Sequence, residues 1–265
     1  MSARRRGSKA TDRGAPDRVV GGLHPVRELL RAGGPVHLVL LAEGRDTSPV
    51  LDEIRDLADQ AGVPVEVRSR ADLDARAEGL VHQGVLALAP PFPYARLDEV
   101  LARADEEPLL LVALDGVTDP HNLGSIARSA EAVGAHGLLL PSRRAAGVTP
   151  AGEKAAAGAL AHLPVVRMAN LARDLRSLKE RGIWVVGLDG EAEEEIADSR
   201  LLTEPLVVVV GAEGGGLARL TREICDQLVR LPMRGRVGSL NASVAAGVAL
   251  YEVLGHRAER LGRTD

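Results

Sequence analysis

Leu206-Val207-Val208-Val209-Val210-Gly211-Ala212-Glu213-Gly214-Gly215-Gly216-Leu217 is the stretch that decides the fold. Its opening side chains are apolar at successive positions rather than alternate ones, so both faces of the strand they form must be buried. Such a strand belongs to a parallel sheet covered by helices on each side. The glycines end the strand, let backbone amides approach a ligand closely, and pass the chain to a helix predicted at 217–225. Outward from here, Leu109–Leu114 repeats the doubly apolar pattern. Further strands are predicted at 136–140, 163–167, 183–188 and 227–231, alternating with helices at 122–133, 151–160, 170–181 and 240–254.

Upstream, Pro90-Pro91-Phe92-Pro93 can continue neither a helix nor an inner strand. It marks a boundary. Before it, helices are predicted at 25–32 and 49–61 and strands at 36–42, 63–67 and 80–88, a small α/β unit. The expected organisation is a disordered basic tail over 1–17, a small α/β domain over 18–89, a proline-rich linker with a short helix over 90–107, and the larger domain over 108–265.

Composition narrows the function classes. Aromatic residues are 2% of the 265, so wide stacking platforms for single-stranded nucleic acid are nearly excluded. Cys225 stands alone, which rules out an internal disulfide and a multi-cysteine metal cluster, and no metal is expected. No apolar run approaches the ~20 residues that span a bilayer, and the basic N-terminus lacks the apolar core of a secretory signal. The expectation is a cytoplasmic protein with no membrane partner. The net charge of −4 is unevenly spread: residues 1–20 carry six basic and two acidic side chains, and the acidic excess lies in the rest. A basic tail ahead of an acidic body suits contact with a polyanion, but on charge alone a solvated extension is the favoured reading.

Three segments of the second half carry the chemistry. In residues 115–128 a buried strand gives way to a helix, with Asn122 expected at its N-cap and Arg128 less than two turns on, within reach of the C-terminal edge of the sheet. Read alone, the segment is also a capped helix with a surface Arg. The second segment is Gly211–Leu217. Its spacing is not that of a dinucleotide fingerprint, no lysine follows the glycines, and Glu213 opposes phosphate, so a nucleoside carrying positive charge suits the loop better. The third, 231–243, runs from a strand through a glycine-rich loop into the last helix. Ser239 is the expected N-cap, Asn241 lies in the first turn, and Arg234 and Arg236 are beside them. A capped terminal helix with a basic loop describes this segment equally well.

Together, 119–135 (DPHNLGSIARSAEAVGA), 211–217 (GAEGGGL) and 231–247 (LPMRGRVGSLNASVAAG) closely resemble, in order, the motifs of the SpoU/TrmH family of RNA ribose 2′-O-methyltransferases, within the SPOUT class. Residues 21–30 (GGLHPVRELL) and 81–88 (VHQGVLAL) resemble that family's small substrate-binding domain, so the resemblance covers about 18–256. Within the family the chain is most similar to the RlmB-type enzymes, which methylate a guanosine of 23S rRNA. One departure is Gly215, where many relatives carry Glu.

The resemblance implies an α/β fold of the SPOUT type, with a parallel sheet and a C-terminal trefoil knot, plus the small N-terminal α/β domain. Periodicity gives no sign of a knot, which fold rules disfavour. It also implies S-adenosylmethionine bound at Gly211, Leu231 and Leu240, with Leu188 and Gly190 as weaker candidates, and a homodimer formed through the knotted region. The matched catalytic positions are Asn122, Arg128, Glu213, Ser239 and Asn241. Deprotonating a guanidinium is costly because its pKa lies above ~12, so Arg128 is better read as a phosphate clamp than as a base. Asn122 and Asn241 would orient the ribose and Arg128, and Ser239 would position the loop or the nucleotide. Glu213 would hold the loop or the Arg side chain, or simply accept backbone amides. The alternatives are a tRNA or antibiotic-resistance methyltransferase of the same family, and a non-catalytic RNA-binding module; the latter is disfavoured because Arg128 and Asn241 are both present. A nucleotide-binding oxidoreductase is disfavoured by the missing fingerprint.

Overall fold

The computed structural model describes residues 17–104, 107–143, 145–260 and 262. All of the predicted basic tail except Asp17 lies outside them. The chain builds two separate sheets in the order the apolar runs occur.

The first sheet contains β1 (Arg18–Gly21), β2 (Leu38–Ala42), β3 (Val65–Arg68) and β4 (Val85–Ala89) in the spatial order β1-β4-β2-β3. β4 pairs antiparallel with β1 and β2, and β2 pairs parallel with β3. Helices α1 (Leu23–Arg31) and α2 (Pro49–Gln60) cover one face, where Val26, Leu29, Leu51 and Ile54 meet Val39, Leu41, Val85 and Ala87. α3 (Arg70–Ala77) covers the other through Leu73 and Ala77 against Leu40 and Leu86. Ser48 caps α2 by accepting from the Leu51 amide, with Pro49 in the first turn.

After the prolines, α4 (Leu97–Leu101) leads into the second sheet. Its strands are β5 (Leu110–Asp115), β6 (Gly137–Pro141), β7 (Val165–Met168), β8 (Trp184–Leu188), β9 (Glu194–Glu195), β10 (Leu206–Gly211) and β11 (Gln227–Arg230). They lie in the order β7-β6-β5-β10-β8-β11-β9 and every recorded pairing is parallel. As the apolar runs required, both faces are covered. α5 (Pro120–Ala132), α6 (Pro150–Ala155) and α9 (Ala242–Arg260) lie on one side, against Leu110, Val112, Leu114, Val208 and Val210. α7 (Leu171–Glu180) and α8 (Arg219–Ile224) cover Leu111, Ala113, Val207 and Val209 on the other. No described helix is long and apolar enough to cross a membrane.

Two expected caps are corrected. Asp119, not Asn122, caps α5: its carboxylate accepts from the His121 amide and Pro120 starts the helix. Asn122 therefore sits within the first turn, 6% exposed. Asn241, not Ser239, caps α9, since its Oδ1 accepts from the Ser243 and Val244 amides.

Two long-range devices position the rest. α5 and α6 cross so closely that a Cβ on Gly124 would run into the Gly152 carbonyl and Ala155. Arg257 of α9 is 9% exposed, and its guanidinium donates to the carbonyls of Pro108, Leu109, Leu202 and Glu204. Burial pushes its pKa down to about 10.

Candidate active site

Parallel sheets place ligands beyond the carboxyl ends of their strands. Here the ends of β8, β10 and β11 and the start of α9 surround a cavity of 480 Å³, a size suited to a nucleoside-sized ligand. The loop after β10 closes on itself, because Ala212 and Gly216 exchange backbone hydrogen bonds at 3.0 and 2.9 Å. Gly211 is required there: a Cβ would fall inside the backbone of Gly216 and Leu217. The loop is tethered to β5 by Asp115, whose Oδ2 accepts from the Ala218 amide at 2.8 Å.

The expected cofactor residues Gly211, Leu231 and Leu240, together with Leu188 and Gly190, all line this cavity. So do Glu213 and Ser239. Sequence reasoning missed Asp189, Glu191 and Arg222 in the same wall. Arg222 pairs with Asp189, and its second contact, to Glu191, is 3.4 Å. The bond to Asp189 holds the Arg222 guanidinium above its ordinary pKa. The signal for the two acids was their place at the end of a buried strand; that for Arg222 was not local. Asp189, Glu191 and Glu213 outnumber Arg222 in the wall, which suits a cationic ligand.

Asn241 joins the cavity to α5. Its Oδ1 is fixed by main-chain donors of α9 and also accepts from Ser243 Oγ at 2.6 Å. That choice turns Nδ2 the other way, where it donates to Asn122 Oδ1 at 2.9 Å and to Glu213 Oε1. Glu213 Oε1 also accepts from the Ala242 amide at 3.4 Å. Both polar atoms of the Asn241 side chain are thus bonded within the protein, which makes the residue a hub. One consequence follows for Asn122: with Oδ1 accepting from Asn241, its Nδ2 is the end left to donate to another group. Of the roles weighed for Glu213, the acceptor of backbone and side-chain amides is the one the geometry contains.

The structure therefore brings Asn122, Glu213 and Asn241 into one network, with Ser239 across the same cavity. Arg128 stands apart. It is exposed, further along α5, and makes no hydrogen bond or ion pair among the described residues. With no partner among the described residues, its guanidinium is free to bind an anion. Cys225 lies behind the site with its thiol pushed up to about 12, mainly by burial, and is no nucleophile.

Known proteins resemble the chain in both of its units. Residues 109–251 match the SpoU rRNA Methylase family, and residues 19–95 match RNA 2′-O ribose methyltransferase substrate binding. The 23S rRNA (guanosine-2′-O-)-methyltransferase RlmB of Pseudomonas syringae pv. tomato is 49% identical over 90% of this chain and 96% of its own. An uncharacterized tRNA/rRNA methyltransferase of Mycobacterium ulcerans is 46% identical over 89% of this chain and 76% of its own. Among solved structures, the SpoU methyltransferase AviRb from Streptomyces viridochromogenes, in complex with AdoMet, superposes with a TM-score of 0.77 at 30% identity, covering 92% of each chain. With both family matches in chain order and near-half identity over most of its length, the chain belongs to the SpoU rRNA methylase family.

Proposed function

We propose that the protein transfers the methyl group of S-adenosylmethionine to the ribose 2′-oxygen of a guanosine in 23S rRNA. The observation that carries this reading is the junction of the acidic, glycine-walled cavity with the Asn122–Asn241–Glu213 network. Asn241 bonds Asn122 on one side and Glu213 of the cavity wall on the other, which supports a ribose held next to a cationic nucleoside. The wall fits S-adenosylmethionine, with Gly211, Leu231 and Leu240 holding it and the acidic excess matching its charge. When bound, it supplies an electrophilic methyl group.

The chain's own residues then have separable tasks. Asn122 Nδ2 donates to the ribose or its phosphate. Asn241 and Glu213 fix Asn122 in that orientation, and Ser239 positions the loop that walls the cavity. Arg128 clamps the adjacent phosphate and stabilises the developing alkoxide electrostatically, so the hydroxyl proton can pass to water. The small unit at 18–89 binds the RNA substrate, a role supported by the family match over 19–95.

We further infer that the loops 211–217 and 231–241 form a trefoil knot and that the protein works in the cytoplasm as a homodimer. Support for the dimer comes from α9, whose side away from the core exposes Val244, Val248, Tyr251 and Leu254 at helical spacing, continuous with exposed Met233, Val237 and Leu240. The test of the main reading is 2′-O-methyl mapping of rRNA from cells with and without the gene, alongside methyl transfer by the purified protein to 23S rRNA and to tRNA. Loss of one guanosine mark in 23S rRNA is expected; transfer to tRNA alone would overturn the substrate.

A further inference from the structure

The small sheet does not hang from the proline-rich segment as on a tether. β1 packs directly on α6, and the contact is built around one ion pair. Arg18 Nη1 of β1 lies 3.0 Å from Glu153 Oε1 of α6, with the two side chains 12% and 10% exposed. Phe92, from among the prolines, lies under the same guanidinium, 5.1 Å from ring centroid to Cζ. Phe92 in turn meets Tyr94 edge to face at 5.1 Å, and Tyr94 Oη accepts from the Val148 amide, one residue before the cap of α6. Two distant stretches of chain, 92–94 and 148–153, therefore converge on Arg18. Around this point His162 meets Glu28 of α1 at 3.1 Å, and Lys154 donates to the Val81 carbonyl.

Arg18 is under-satisfied. Its Nε and Nη1 are buried and make no hydrogen bond among the described residues, so the Glu153 charge and the Phe92 face are what hold it. Burying two charges returns little net stability, but such a pair is intolerant of any other arrangement. The same α6 touches α5 at Gly124, between Asn122 and Arg128. A shift of the small sheet is thereby passed to the helix that carries both.

We propose that Arg18 and Glu153 are a positioning pair: they fix the small unit on the α5–α6 face, so that RNA held by that unit meets Asn122 and Arg128 in register. The RNA part rests on the function proposed above; the orientation part does not.

The experiment uses the full chain with spin labels at Asp56→Cys in α2 and Arg176→Cys in α7, both exposed, read by pulsed dipolar spectroscopy. Cys225 is replaced by Ser, so that only the two introduced thiols react. A single narrow distance distribution is expected at about pH 8.5, where Glu153 carries its charge, and Glu153→Gln should broaden it. The KM for 23S rRNA should rise about tenfold with kcat within about twofold and S-adenosylmethionine affinity unchanged, the pattern of lost orientation and not lost chemistry. Arg18→Met should behave likewise, and Arg18→Lys should recover part of the loss. If circular dichroism shows Glu153→Gln unfolded, the Arg18→Met/Glu153→Met variant, which leaves no unpaired buried charge, takes its place. An unchanged distance distribution and unchanged KM in the folded variant would overturn the proposal. A broadened distribution in a protein that methylates no rRNA would uphold the pair and overturn the RNA reading.

Discussion

Two carboxylates organise this molecule, and they do so in opposite ways. Glu213 stands in an open cavity and faces neutral amides, those of Asn241 and Ala242. Glu153 is buried at a closed seam and faces a cation. The first arrangement fixes neighbours while leaving room and donors for a ligand. The second excludes solvent and fixes only the relation between two sheets. The contrast shows why charge alone does not mark the reactive region: of these two carboxylates, the one that faces a cation lies at the seam.

The sharpest way to break the contrast is at Arg128, an exposed cation of α5 with no partner among the described residues. Arg128→Ala should lower methyl transfer by roughly 10³-fold while calorimetry shows S-adenosylmethionine affinity within about twofold. Arg128→Lys should remain largely defective, since one ammonium does not reproduce the planar fork. A fully active Lys variant would mean that a point charge is enough.

Asn241 separates the two jobs within the open region. Asn241→Asp keeps the cap of α9 but cannot donate to Asn122 and repels Glu213. Its Tm should stay near that of the parent while kcat falls about 10²-fold. Asn241→Ala should lose the same activity and about 1 kcal/mol of stability as well. If both variants kept wild-type kcat, the network would be a cap and nothing more.

At the seam, burial raises Glu153 to about 7 from 4.5. The folded protein therefore binds this proton more tightly than the unfolded chain does. This contribution is fully present below about pH 4.5 and is lost as pH rises through 7, by up to about 3 kcal/mol. Denaturation between pH 4.5 and 8 should show the decline in the parent and a flatter profile in Glu153→Gln. A parent that gains stability over that range would show attraction to Arg18 outweighing burial.

The smallest effect concerns the tail. Residues 1–17 contain five basic and two acidic side chains. Their deletion should reduce the salt dependence of RNA binding, with the log–log slope shrinking by up to about 3, and leave single-turnover methylation at saturating RNA unchanged. An unchanged slope would make the tail a solvated extension.

Much of the larger sheet was legible because its strands are doubly apolar: 206–211 was read to the residue, and β5, β6 and β8 within one residue at their ends. β1 and α3 were not. β1 is four residues long, and α3 buries only Leu73 and Ala77 among charged neighbours, too few to show a period. The predicted helix at 151–160 stops at Ala155, because Ala157 and Gly158 both take positive φ. The cap of α5 was misread although Asp119-Pro120 announced it; the polar Asn122 drew attention one turn too late. The cavity residues after β10 and β11 followed from motif order. Arg18–Glu153 and the Asn122–Asn241 bond join positions far apart in the chain, and no local pattern encodes them.

Arg257 has a consequence for how the chain acquires this shape. Its bond to the Pro108 carbonyl closes a separation of 149 residues. Closure that distant is entropically late, and it must wait until the strands between have found their order. The first strand of the larger sheet is therefore completed by the last helix. Without α9, the flank of α5 and the sheet face that it covers would lie open, surface suited to association with its own kind. Folding of this half should be slow, concentration-sensitive and governed by the arrival of its final helix.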